Sequence, residues 1–197
     1  MPQPSRPKRS SSAIALRRIS VWARAIVCPA VMLLSLVLPA QHANAATANE
    51  IKAVMLLGFA QLSEWPESDS DSGPFRICLF GESEMGPALR AAVDGERALD
   101  RPIRVREIDS LDHAGRCSIL FVAEAGRAEF ADAMTNLTAP HTLLVGDFSG
   151  FAKNAGAIEF FSDSGRVRFA VNVEHVEDRG IRLSSRILSR ARIVEAD

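Results

Sequence analysis

A short apolar run at residues 75–81 constrains the fold more than any other stretch of this sequence. It begins after Pro74, ends at Gly81 and is dominated by aromatic and aliphatic side chains. A run of this length between turn residues is typical of a buried strand. A second run of the same kind occupies residues 117–122, and the two runs contain Cys78 and Cys117. If the two strands are neighbours in one sheet, these cysteines can form a disulfide.

The N-terminal segment has the pattern of a secretory signal peptide. Residues 1–24 contain six basic residues and no acid, an apolar run follows at residues 25–38, and Ala43 and Ala45 form a small-x-small cleavage signature. We expect residues 1–45 to be removed and residues 46–197 to form the exported, periplasmic protein. An uncleaved membrane anchor is the alternative, but the apolar run is shorter than a bilayer requires and contains Pro29.

Removal of this segment changes the charge and the cysteine content. The formal net charge shifts from −1 to −7, which argues against nucleic acid as a partner. Two cysteines remain, and in an exported protein they favour one disulfide, with two free buried thiols as the alternative. Closing a loop of about 40 residues adds about 4 kcal/mol in the chain-entropy model. The remaining length suits one domain with a substantial core.

A helix is predicted at the start of the exported domain. Thr47 and Glu50 form a capping-box pattern, and apolar residues continue to Leu62 with only Lys52 and Gln61 as polar side chains among residues 51–62. Such a helix lacks a solvent face of ordinary width. It therefore either lies in the core against the sheet or completes its burial in a homodimer or on another partner.

Strands and helices alternate through the middle of the chain. Helices are predicted at residues 82–93 and 127–137, and strands at residues 102–108 and 141–145. This order predicts an α/β single domain, with a mostly parallel sheet, a C-terminal β-hairpin and flanking helices.

The hairpin is predicted at residues 157–171, with residues 162–165 as a four-residue loop. Pairing across that loop places Phe160 opposite Val167 and Glu159 opposite Arg168. One face is then apolar, and the other is a candidate partner-binding surface because it combines an aromatic residue with arginines. Its members are Glu159, Phe161, Arg166 and Arg168. In the alternative arrangement Phe161 is buried against a last helix, which the sequence predicts at residues 183–193.

The ordered set of these segments resembles the YfiR family of periplasmic proteins over about residues 48–195. The features that carry the resemblance are Lys52, Phe59-Ala60, Trp65-Pro66, residues 77–81 and 117–121, Phe151-Ala152, Gly156, residues 168–172 and residues 183–188. The best-known members bind the periplasmic domain of a membrane-bound diguanylate cyclase and repress it. The resemblance implies the same role here, and it matches Cys78 and Cys117 to the family's structural disulfide. The best-known member has a second cysteine pair between the position of Phe151 and the hairpin, and this chain has none, so redox control through that bridge is not expected.

The sequence contains no motif for catalysis, cofactor binding or metal binding. It has no phosphate loop, no zinc-protease motif and no Cys or His cluster with metal-ligand spacing. Glu174, His175 and Glu177 fit a solvated helix face better than a metal site. We therefore predict a non-enzyme without a cofactor.

Two other functions stay open. A periplasmic small-molecule sensor, acting on a membrane sensor kinase or a transporter, would place its ligand near Gly81, Glu82 and Ser83, where parallel strands end. A hydrolase would use Ser83 as its nucleophile, but Met85 replaces the second glycine of a nucleophile elbow. An N-cap is the simpler role for Ser83.

Overall fold

The structure is a computed structural model that describes residues 47–66, 73–154 and 156–195. The predicted signal peptide, residues 1–45, lies outside the described residues. In the described part of the chain, no helix has both the length and the hydrophobicity that crossing a bilayer requires.

Helices and strands alternate along most of the domain. The helices are α1 (Ala48–Gln61), α2 (Met85–Ala92), α3 (Arg127–Ala133), α4 (Phe151–Asn154), α5 (Val173–Glu177) and α6 (Ser185–Leu188). Short 3₁₀ segments span Leu111–Arg116, Glu124–Gly126 and Met134–Asn136. The strands are β1 (Ser63–Glu64), β2 (Phe75–Phe80), β3 (Arg97–Ala98), β4 (Arg101–Ile108), β5 (Ile119–Val122), β6 (Leu143–Gly146), β7 (Ile158–Asp163), β8 (Arg166–Asn172), β9 (Arg182–Leu183) and β10 (Arg192–Val194).

The central sheet has eight strands in the order β10-β8-β7-β6-β5-β2-β4-β3. All neighbours are parallel except β7 with β8 and β3 with β4, which are antiparallel. Strands β1 and β9 form a separate antiparallel pair. The prediction of an α/β domain with a mostly parallel sheet and a C-terminal hairpin is confirmed.

The core has two apolar layers, one on each face of the sheet. On the first face, α1 and α2 pack against strand residues such as Phe75 and Phe121. On the second face, α3, α4 and the segment Leu111–Arg116 pack against Phe80 and Leu120. We call these faces the α1 face and the α3 face. Because both are covered, the central strands are continuous apolar runs, which is why the sequence signals them strongly.

Helix α1 has the predicted start and lies on the sheet. The Glu50 amide donates to Thr47 Oγ1, and the Thr47 amide donates to Glu50 Oε2, which completes the capping box. The inner side of α1 is buried, but Val54 on its outer side is 61% exposed. The prediction of a core helix is confirmed for the inner side, and a partner on the outer side stays a prediction.

The predicted disulfide between Cys78 and Cys117 is present, on the α3 face of the sheet. Its Cα atoms are 5.8 Å apart, and Cys117 lies just before β5, the parallel neighbour of β2. Both cysteines are buried. The bridge therefore joins the middle of β2 to the residue that ends the segment Leu111–Arg116.

The hairpin exists, but its predicted register is wrong by two residues. Phe160 is opposite Phe169 rather than Val167, and Phe161 rather than Glu159 is opposite Arg168. The turn contains only Ser164 and Gly165, whose φ angles of 51° and 75° are both left-handed. A two-residue turn of this kind matches the twist of the strands, so the strands extend further than expected. A shift of two residues leaves each side chain on its predicted face.

The last predicted helix, at residues 183–193, is also corrected. Only Ser185–Leu188 is helical, and the chain then returns to the sheet as β10. Strand β10 runs parallel to β8 and places Arg192 beside Ala170. Backbone pairing with the sheet edge outweighs the local helical preference of this short segment.

Candidate partner-binding surface

The candidate surface lies on the α3 face of the hairpin, where β7 and β8 extend beyond α4. Ile158 and Phe160 point into the core on the α1 face and are buried. Since side chains alternate along a strand, Phe161 and Arg168 lie on the opposite face. They are directly opposite each other in the ladder. The sequence therefore assigned both side chains to the correct face.

Phe161 is half-buried, and the guanidinium of Arg192 covers it. The Arg192 guanidinium carbon lies 4.0 Å from the ring centroid of Phe161, which is within the range of a cation–π contact. The sequence predicted that Phe161 is either exposed or buried against a helix at residues 183–193. In the described residues that helix is not formed at its full predicted length, and Phe161 is half-buried rather than exposed. Sequence reasoning missed Arg192, since residues 190–193 were assigned to a helix. The adjacent β-branched pair, Ile193 and Val194, was the available signal for a strand.

The structure separates Glu159 from the other three predicted residues. Glu159 is half-buried, and its Oε2 accepts a hydrogen bond of 3.3 Å from the amide of Ala152 in α4. This contact holds α4 against β7, so Glu159 has a structural role here. Arg166 lies at the tip of the hairpin, opposite Asp163, and both are exposed.

Positive charge dominates the remaining surface. Arg166, Arg168 and Arg192 are exposed, and none of them has a carboxylate within ion-pair distance in the described residues. We call Phe161, Arg166, Arg168 and Arg192 the hairpin surface. An aromatic ring stacked with arginine is a composition that binding hot spots favour. Because arginine presents several donors in a planar fork, the hairpin surface suits an acidic partner.

The predicted small-molecule crevice lies at the carboxyl ends of β2 and β4. A cavity of about 560 Å³ there is lined by Gly81, Glu82 and Ser83 together with Asp109 and other residues. Ser83 Oγ accepts a 3.1 Å hydrogen bond from the amide of Met85, the first residue of α2. The N-cap of α2 is Glu84, whose side chain makes no capping hydrogen bond, so the predicted N-cap role of Ser83 is wrong by one residue. The Ser83 hydroxyl, one residue earlier, accepts from the first amide of the helix.

The rings of His141 and His175 contact backbone carbonyls. His175 Nδ1 donates to the Gly156 carbonyl at 2.7 Å. This hydrogen bond joins α5 to the residue two positions before β7. Within residues 47–66, 73–154 and 156–195, no group of three or more His, Cys, Asp or Glu side chains is arranged to hold a metal ion.

Arg179 connects the end of α5 to the loop before β6. Its Nη1 donates to the Ala139 carbonyl at 2.6 Å, and its own carbonyl accepts from the His141 ring at 3.2 Å. Burial lowers the pKa of the Arg179 guanidinium, and the nearby Asp178 carboxylate opposes that shift. Because arginine keeps its charge under such shifts, Arg179 acts as a fixed structural donor.

Comparisons with known proteins place this sequence in a family. A comparison with curated proteins finds no significant match. Among solved structures, an ABC domain in complex with L-Trp from Streptococcus pneumonia is similar in fold, with a TM-score of 0.50 and 8% identity. The match covers 72% of this chain and 61% of that chain, so this chain spans less than two thirds of the other protein. The sequence model of the YfiR/HmsC-like family matches residues 49–192, which include every strand described above except part of β10. The chain therefore belongs to the YfiR/HmsC-like family.

Proposed function

We propose that this protein is a periplasmic regulator that binds the periplasmic domain of a membrane-bound diguanylate cyclase and represses it. The family match over residues 49–192 carries the proposal. The protein acts by binding and lowers the output of cyclic di-GMP without performing a reaction itself. A buried disulfide between Cys78 of β2 and Cys117 supports an exported location, since disulfides persist in oxidising compartments.

The hairpin surface is the proposed contact with the cyclase. Its aromatic ring and three arginines lie together on one side of β7, β8 and β10. Phe161 supplies apolar area at the centre, and the arginines around it supply charge-assisted hydrogen bonds to acidic groups of the cyclase. Docking there would hold the cyclase in its inactive arrangement.

A pull-down from the inner membrane tests the partner. The bait is residues 46–197, and we expect it to recover a cyclase that has a periplasmic domain. Cells lacking the protein should contain more cyclic di-GMP and form more biofilm. Recovery of a kinase or transporter instead, with unchanged cyclic di-GMP in the deletion strain, would overturn the proposal.

A double variant tests the surface. Phe161→Ala combined with Arg168→Ala should abolish both cyclase recovery and repression while the fold persists, as judged by circular dichroism. Arg186→Ala is the matched control, because Arg186 is an exposed arginine of α6 outside the hairpin surface. Full repression by the double variant would exclude the hairpin surface.

The outer side of α1 is the proposed homodimer surface. Val54 is 61% exposed, and Leu62, at the end of the helix, is 38% exposed. Ile51 and Gly58, which lie near them on the helix surface, are half-buried. Large apolar side chains grouped on one helix side favour association. Val54→Glu should convert a dimer into a monomer in analytical ultracentrifugation, and a wild-type protein that is already monomeric at high concentration would contradict a homodimer.

A small-molecule sensor that acts on a sensor kinase or transporter is the second candidate function. The cavity of about 560 Å³ at Gly81, Glu82 and Ser83 favours it, since ligands of α/β proteins bind at the carboxyl ends of strands. A metabolite that raises the melting temperature of wild-type protein but not of Ser83→Trp would support this function. The absence of any stabilising metabolite would count against it.

A further inference from the structure

A second cavity lies directly over the disulfide on the α3 face, near the edge of the sheet. Its volume is about 370 Å³, and its lining includes Arg76, Arg106 and Arg116 together with Cys78 and Cys117. The two cysteines are buried, so they form its floor. Arg106 and Arg116 are exposed, and Arg76 is half-buried. We call this site the arginine cavity.

The three arginines converge because each is fixed relative to the disulfide. Arg76 precedes Cys78 by two residues on β2, so both side chains lie on the same face. Arg106 of β4 is the ladder partner of Cys78. Arg116 immediately precedes Cys117, and its carbonyl accepts a 3.4 Å hydrogen bond from Arg76 Nη1. The disulfide and the β2–β4 ladder thus bring the backbones of the three arginines close together.

Positive charge exceeds negative charge in the arginine cavity. Two acids also line it, Glu107 and Asp109. Glu107 Oε1 is 2.9 Å from Arg90 Nη2, so an arginine outside the cavity balances its charge. Asp109 is therefore the one acid there that a described cation does not pair with, against three arginines. The exported domain has an expected formal net charge of −7, so a group of arginines without paired acids differs in sign from the rest of the domain.

We propose that the arginine cavity binds a phosphate-bearing group. A dianionic phosphate matches the excess positive charge, and the planar guanidinium fork binds phosphate oxygens in pairs. His113 also lines the cavity, and its imidazole can supply a further donor. The volume is within the range of small-ligand sites and exceeds what a lone ion needs, so the phosphate belongs to a larger molecule. Because the disulfide and the β2–β4 ladder fix the backbone at these positions, binding has to order only the arginine side chains.

Calorimetric titration of the mature protein with pyrophosphate at low ionic strength tests the proposal. Wild-type protein should bind saturably. Arg106→Gln and Arg116→Gln should each weaken binding by at least about tenfold, because each removes a charge-assisted contact. Neither side chain makes a hydrogen bond to the described residues, so both variants should fold normally. Arg186→Gln, an exposed arginine on α6, is the control and should bind as wild type does. No wild-type binding, or equal binding by all four proteins, would overturn the proposal.

Two further arms identify the source of the phosphate. If the source is a lipid headgroup, the protein should co-sediment with phosphatidylglycerol vesicles but not with phosphatidylcholine vesicles, and Arg106→Gln should lose that binding. If the source is a soluble phosphate ester, pyrophosphate should bind without any vesicle binding. Binding to vesicles that Arg106→Gln and Arg116→Gln leave unchanged would argue against the arginine cavity. These measurements need no cyclase, so their outcome is separate from that of the repression tests.

Discussion

Lys52 Nζ of α1 lies 3.0 Å from Asp147 Oδ2 at the end of β6, and each side chain is 18% exposed. Asp147 Oδ1 also accepts a 3.1 Å hydrogen bond from the amide of Glu124. One carboxylate therefore joins α1, the end of β6 and the segment after β5. These three elements meet where the parallel strands end.

Substitutions that remove this contact should lower the free energy of unfolding, by amounts that depend on which partner is replaced. Lys52→Met should lower the free energy of unfolding by about 1–3 kcal/mol, between the values for exposed and fully buried ion pairs. Asp147→Ala should cost more, because it also leaves the Glu124 amide without its acceptor. Asp147→Asn keeps an oxygen acceptor and should cost less than Asp147→Ala. Urea denaturation measures all three, and equal losses for the two Asp147 variants would contradict a role for the amide contact.

The disulfide should supply a large share of the stability. Cys78 and Cys117 are 39 residues apart in sequence. Replacing both with alanine should lower the free energy of unfolding by about 4 kcal/mol, because the unfolded chain regains the entropy of an open loop. Urea denaturation of wild-type protein in a reducing agent is the matched comparison. A wild-type midpoint that the reducing agent leaves unchanged, although the thiols are shown to be free, would exclude this contribution.

Three glycines should respond differently to alanine. Gly81 has a φ of 83°, and an added Cβ would lie 2.5 Å from the Gly126 amide nitrogen. Gly81→Ala combines backbone strain with overlap and should cost at least about 2 kcal/mol. Gly95 has a φ of 73° but open space around it, so Gly95→Ala should cost only about 1–2 kcal/mol.

Gly58→Ala is the control, because it should raise the stability of the domain where the other two substitutions lower it. Gly58 lies inside α1 with ordinary helical geometry, and nothing is within 4 Å of an added Cβ. Gly58→Ala should therefore stabilise the domain by about 0.5–1 kcal/mol. Thermal denaturation of the three variants gives the order, and a cost for Gly58→Ala would show that another molecule contacts this side of α1.

Asn172 should be sensitive because its amide has two roles. The Oδ1 atom accepts from the His175 amide at the start of α5, and Nδ2 donates to the Ala152 carbonyl in α4 at 3.1 Å. The side chain is buried. Asn172→Ala should cost about 2–3 kcal/mol, from one lost cap and one buried carbonyl without a donor. Asn172→Asp keeps the cap acceptor but removes the donor to the Ala152 carbonyl. Its melting temperature should therefore be lower than that of wild type.

The sequence predicts the elements whose signals are local. The capping box of Thr47 and Glu50 needs only four consecutive residues, and β2 is marked by its own apolar run and the turn at Gly81. The two cysteines lie in two such runs, which made a disulfide possible if the strands were neighbours, and the family resemblance matched the pair to a structural disulfide. The capping box and β2 required no knowledge of distant contacts, whereas the disulfide depended on two strands being close in space.

Features that depend on distant pairing were not predictable in the same way. Strand β10 forms because its three residues pair with β8, and so Arg192 reaches Phe161. The register of the hairpin depended on Ser164 accepting a left-handed φ, which is unusual for serine. Likewise, the arginine cavity exists because β4 lies beside β2 with Arg106 next to Cys78, and sequence patterns do not give the order of strands.

The two edges of the eight-stranded sheet have a consequence for behaviour at high concentration. The outermost strands, β3 and β10, are two and three residues long, and Arg97 and Arg192 are exposed on them. Because each of these strands covers only part of its neighbour, Arg104 and Arg106 of β4 and Arg168 of β8 are also exposed along the edges. An incoming chain must therefore approach cations along each edge. Sheet-to-sheet polymerisation should therefore be slow, and association of this protein should occur through side-chain surfaces rather than through an extended sheet.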